Sequence, residues 1–166
     1  MSARCKGLFL LSISVLLSGC GGGGGTKVVY VVGEPFQSYV DSFVEAAYAS
    51  GRVLSGGRLR IEFGDIDNPK SVGRCYYYES RVVMRRSFWE SSSDVTKKIL
   101  IFHELGHCLL FRKHDKTFLE TGRPRSLMYP VVINSVTYMS FIEYYNMELF
   151  SKAGPRPLEV DREYDD

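Results

Sequence analysis

The stretch His103-Glu104-Leu105-Gly106-His107 decides how this chain is read. Its two histidines are four apart. On an α-helix that spacing turns a side chain by about 40° and moves it about 6 Å along the axis, so both imidazoles share one face. Two imidazoles so placed can each bring a nitrogen to about 2.0–2.1 Å from one Zn²⁺. Glu104, one step round the helix from His103, can reach a water on that ion without displacing a ligand. The chain has only three histidines, His103, His107 and His114, and all fall in one short window. Scattered surface histidines would not cluster in this way.

The surrounding residues read as a buried helix. Ser93 is a cap and Asp94 suits the first turn. From there to about Phe111, Ile99, Leu100, Ile101, Phe102, Leu105, Leu109 and Leu110 are apolar nearly all round. A helix of that kind sits in a core rather than on a surface. Burying two histidines and a glutamate on it is costly unless they have a partner. A hydrogen-bonded core histidine accounts for one such position but poorly for three; a metal ion accounts for all of them.

Working outward, residues 26–32 (TKVVYVV) are β-branched and aromatic, which predicts a strand. Residues 36–50 have helical periodicity and end at Gly51, a C-terminal cap. Residues 58–63 alternate with Leu59, Ile61 and Phe63 inward, a second strand. Residues 64–73 contain Asp65, Asp67 and Asn68 but lack a full calcium loop, so a solvated turn is expected. Residues 74–79 and 82–88 read as two further strands, paired as a hairpin or as neighbours, with the Tyr76-Tyr77-Tyr78 run packing on the sheet. A last helix spans 136–152, with Tyr138, Phe141, Ile142, Tyr145, Leu149 and Phe150 inward, and Gly154 and Pro155 end it. The expected fold class is α+β: a twisted mixed sheet of about four strands, a central helix carrying the histidines and a C-terminal helix. The domain spans 26–154, and 155–166 is a polar tail.

The first 25 residues read as targeting. Arg4 and Lys6 precede a compact apolar run, residues 8–17, too short to span a bilayer. Leu17-Ser18-Gly19-Cys20 resembles the lipobox of bacterial lipoproteins. That resemblance implies a signal peptide over 1–19 and a lipid on Cys20 that holds the protein on a membrane; with the five glycines at 21–25, residues 20–25 read as the lipidated cysteine and a flexible tether. Gly21 after the cysteine resembles lipoproteins sorted to the outer membrane of the cell envelope. The formal charge of +2 disappears with Arg4 and Lys6, leaving a neutral chain with no bulk charge for nucleic acid. Cys75 and Cys108 then remain in an oxidising compartment, where a disulfide is the simplest pairing and two buried thiols the alternative. Cys108 as a metal ligand is disfavoured, because it is turned about 100° from His107 and about 140° from His103.

Two pieces in this order, His103-Glu104-x-x-His107 with a nearby third histidine and then Ser126-Leu127-Met128-Tyr129-Pro130, resemble the metzincin clan of zinc metallopeptidases. The second piece resembles that clan's Met-turn. The resemblance implies a zincin-like fold, zinc held by His103, His107 and His114, Glu104 as general base, Met128 as an apolar floor beneath the histidines, and a peptide or protein substrate lying extended along a sheet edge, the 74–79 strand. A monomer is expected. The clan's pattern is H-E-x-x-H-x-x-G-x-x-H, and here Leu110 stands for the glycine and Lys113 for the third histidine. His114 comes one residue late, so the helix must end differently, one residue on near Phe111. Asp115 is the nearest substitute ligand, and Glu143 or Glu148 would make a thermolysin-like site. Tyr129 is assigned no metal role. A closed structural zinc site, or a degenerate protease that only binds, are the rival readings.

Overall fold

In a computed structural model of the chain, residues 28–151 are described. The expected signal peptide, Cys20, the glycine tether and the polar tail lie outside them. The elements run α1 (Gln37–Ala49), β1 (Arg60–Phe63), β2 (Gly73–Tyr76), β3 (Arg81–Met84), α2 (Arg86–Ser91), α3 (Asp94–Leu110), α4 (Ser135–Ser140) and α5 (Ile142–Ser151). The architecture is α+β, with a small mixed sheet in the order β1-β3-β2. β3 pairs parallel with β1 and antiparallel with β2, which leaves β2 on an edge. A short 3-10 turn, Tyr77–Glu79, links β2 to β3.

α3 organises the rest. Its start is set by Ser93, whose hydroxyl accepts from Thr96 N–H, with Asp94 favouring the positive end of the helix dipole. Ten of its residues are buried, from Ile99 to Leu110. Phe102 meets Phe43 of α1 edge-on at 5.2 Å, and Phe43 meets Phe150 of α5 at 5.0 Å. Such tilted aromatic pairs add about 0.5–1.5 kcal/mol each beyond area burial. A second aromatic group, Phe36, Phe63 and Trp89, closes the core between α1, β1 and α2.

Several expectations are corrected. Residues 28–32 form no strand, so the sheet among the described residues has three strands rather than about four. The physical reason is Gln37. Its amide accepts from Val32 N–H at 2.9 Å and donates to Tyr30 O at 2.9 Å, supplying the backbone contacts that a neighbouring strand would. The alternation survives: Tyr30 is buried while Val29 and Val31 are exposed. The fourth predicted strand, 82–88, stops at Met84 and becomes α2, because Arg85 turns inward. Its guanidinium donates to the carbonyls of Ile66, Asn68 and Ser71, and so pins the 66–72 loop. The tyrosine run leaves the sheet after Tyr76. Tyr78 is exposed, and Tyr76 carries the Arg81 guanidinium over its ring at 4.1 Å. The last helix is two helices, broken at Phe141, with α4 capped by Asn134.

Candidate metal centre

α3 presents His103 and His107 on one face, as their spacing requires. The exit of the helix brings in the third histidine. Phe111 adopts the left-handed conformation (φ 52°, ψ 35°), and the next N–H, that of Arg112, reaches back to Gly106 O at 3.0 Å. For a residue with a Cβ this backbone costs about 1–2 kcal/mol. It reverses the chain one residue later than a glycine at 110 would, so His114 arrives at the face of the helix.

The three Nε2 atoms form a nearly equilateral triangle: His103–His107 3.1 Å, His103–His114 3.1 Å and His107–His114 3.2 Å. An ion bound tetrahedrally by imidazoles at about 2.0–2.1 Å needs nitrogens roughly 3.3–3.4 Å apart, so the set fits a metal. Their protonation points the same way. His103 Nδ1 lies 2.7 Å from Leu127 O, and His107 Nδ1 lies 2.6 Å from Arg112 O. A carbonyl only accepts, so each Nδ1 carries the hydrogen and each neutral ring turns an Nε2 lone pair into the triangle. Two lone pairs at 3.1 Å repel unless a cation lies between them. Burial, above all, pushes the His103 imidazole down to about 4, and likewise holds His107 well below its ordinary value, with the neighbouring His103 and His114 rings adding to it. A proton is therefore not the cation at neutral pH. Among the described residues these three histidines are the only cluster of metal-binding type.

The same burial makes the metal-free protein sensitive to acid. Below pH 6.5 the unfolded chain takes up protons that the folded rings refuse, so stability falls as pH drops and levels off near the folded value of about 4. The expected loss between pH 7 and pH 4 is at most about 3 kcal/mol from His103. Urea midpoints of chelated protein at pH 7, 5.5 and 4.5 measure it. A flat profile would contradict the buried, neutral state of these rings.

The Ser126-Leu127-Met128-Tyr129-Pro130 segment turns tightly beneath the site, with Tyr129 N–H bonded to Ser126 O at 3.1 Å. It contributes twice. Leu127 supplies the carbonyl that orients His103, and Met128 is fully buried against α3. A Cβ on Gly106 would fall 2.5 Å from Met128 Sδ, so the glycine inside the motif is what lets the sulfur pack on the helix. Tyr129 packs on Phe118.

Glu104 is 4% exposed and lines a cleft of about 610 Å³ that also receives the three histidines. Val72, Phe88, Leu100, Val132 and Ile133 give the cleft apolar walls, and the volume is of ligand-site size. Gly73, at the start of β2, touches the Glu104 carboxylate: a Cβ there would lie 2.6 Å from Oε1. Gly73→Ala therefore displaces the carboxylate without touching a histidine. If Glu104 is a base, the expected result is full metal content with kcat lowered roughly 10- to 100-fold, the scale of a misplacement of about 1 Å. Elemental analysis beside steady-state kinetics reads both quantities, and an unchanged kcat would exclude this packing as functional.

The alternatives for a further ligand are placed elsewhere. Asp115 bonds Thr117 and pairs with Arg125 at 2.7 Å. Those contacts overcome its partial burial and lower its carboxyl to about 2. Cys108 is in a disulfide with Cys75, with Cα atoms 5.6 Å apart, tying α3 to β2. Glu148 pairs with Arg112, and Glu143 is exposed. The sequence reading missed Gly73, Arg85 and Arg112. Only Gly106 carried a signal, since a glycine inside a helix costs about 1 kcal/mol relative to alanine and implies a close approach.

Comparison of the chain with protein-family models, with curated proteins and with solved structures returns no match.

Proposed function

We propose that this protein is a zinc-dependent endopeptidase of metzincin type, carried on the envelope of a bacterium by a lipid on Cys20. The observation that supports it most is the triangle of three Nε2 atoms, with the hydrogens of His103 and His107 held on Nδ1, opening on the same cleft as the Glu104 carboxylate. His103, His107 and His114 would hold the metal. When bound, zinc supplies Lewis acidity toward a carbonyl oxygen and lowers the pKa of water toward about 7. Glu104 takes the proton of the attacking water as its oxygen bonds to the peptide carbon. It then returns that proton to the amide nitrogen as the C–N bond breaks. Residues 70–73, which end at the first residue of the edge strand β2, form one rim of the cleft, where an extended peptide would add main-chain hydrogen bonds. With Asp115 and Cys108 engaged in other contacts, a fourth position on the metal would be open to water or substrate, as catalytic zinc requires.

The experiment is metal analysis of the purified protein together with cleavage of unstructured peptides. One zinc per chain is expected, with activity lost on chelation and regained on adding zinc. A zinc-loaded protein that cleaves none of a broad peptide library would favour a binding role instead.

A further inference from the structure

Two backbone carbonyls, Leu127 O and Arg112 O, orient His103 and His107. Both lie in irregular chain outside α3, tied by single backbone bonds such as Arg112 N–H to Gly106 O, and neither belongs to a helix or strand that would fix the direction of its carbonyl. One buried cluster does. Arg112 Nη2 is 2.7 Å from Glu148 Oε1, and the two side chains are only 7% and 9% exposed. Arg112 Nη1 also donates to Glu148 Oε2 at 3.2 Å and to the carbonyls of Glu148 and Leu149 at 3.0 and 3.2 Å. Ser126 Oγ donates to Glu148 Oε2 at 2.6 Å, and accepts from Arg112 Nη2 at 3.3 Å and from Met128 N–H at 3.0 Å. A single carboxylate on α5 thus grips both the residue whose carbonyl orients His107 and the turn whose carbonyl orients His103.

We infer that Arg112, Ser126 and Glu148 are positioning residues that set the metal affinity of the three-histidine site by fixing these two carbonyls. The inference rests on the metal reading above. Stability alone is a poor reason for the cluster, because a buried ion pair is often matched or bettered by apolar residues of similar volume. What apolar residues cannot do is hold a carbonyl in one direction. Partners of this kind, one contact removed from the metal, typically contribute 10- to 100-fold in affinity.

The test uses the full chain, stripped of metal and titrated with zinc against a chromophoric chelator, with Co²⁺ absorption as a report of ligand geometry. Three changes are compared with the parent: Glu148→Gln, Ser126→Ala, and the pair Arg112→Met with Glu148→Leu, which removes the charges together. Val44→Ala, in α1, is a control for general loosening of the core. The expected result is zinc binding weakened 10- to 100-fold with an altered Co²⁺ spectrum in the cluster variants, and within twofold of the parent in the control. If Glu148→Gln does not fold, the paired substitution and Ser126→Ala decide the matter. Parent-like zinc affinity in a folded paired variant, or an equal loss in Val44→Ala, would overturn the inference. A parent protein that binds no zinc would instead remove the metal reading itself.

Discussion

Glu104→Gln is expected to keep its metal and lose catalysis, with kcat falling roughly 10²- to 10⁴-fold, the usual contribution of a positioned general base. On the free-energy scale that is about 3–5 kcal/mol of barrier. Glutamine has nearly the same shape, so the contact between this α3 side chain and Gly73 is retained. The change removes only the ability to take and return a proton. The measurement is kcat on a peptide substrate beside zinc content for both proteins. Activity within a few-fold of the parent would end the case for Glu104 as the base. Loss of zinc along with activity would assign it to holding the metal.

Loss of the Cys75–Cys108 bond is expected to destabilise the domain by about 3–4 kcal/mol. The bridged residues are 33 apart in sequence, and closing a loop of that length in the unfolded chain gives this magnitude in the chain-entropy treatment. The melting temperature should fall by about 10–15 °C in a domain of this size. The position of the bond matters as much as its strength. It ties β2, whose first residue packs on Glu104, to α3 one residue beyond His107. Thermal unfolding with and without reductant, and of the Cys75→Ser, Cys108→Ser variant, reads the effect. A shift of only a degree or two would mean that the core holds strand and helix together without it.

Local patterns in the chain account for α1 and for α3 with its Ser93 cap. They account too for the inward face of 58–63 and for extended chain at the start of 74–79 and of 82–88, because each depends on side chains within a few residues of one another. The same holds for the shared face of His103 and His107, which is a property of helix geometry alone. Where a polar side chain took up backbone groups that a strand would have used, or turned inward to hold a loop, the local pattern failed. Residues 28–32 have strand composition, yet Gln37 takes up their backbone groups. Residues 85–88 directly follow the apolar run Val82-Val83-Met84 and end in Phe88, yet Arg85 turns in to hold the 66–72 loop and the strand ends.

What the sequence by itself determined is therefore a buried α3 bearing two imidazoles and a carboxylate, a third histidine close behind, and a methionine turn downstream. Tertiary structure alone decided that the third histidine reaches the other two. That outcome needed a left-handed Phe111, and no local preference favours such a conformation in phenylalanine. It persists because the chain just beyond it is anchored: Arg112 is held by Glu148 on α5, and Asp115 N–H is bonded to Met128 O. The strain is local, the contacts that hold it are long-range, and only the folded chain brings the two together.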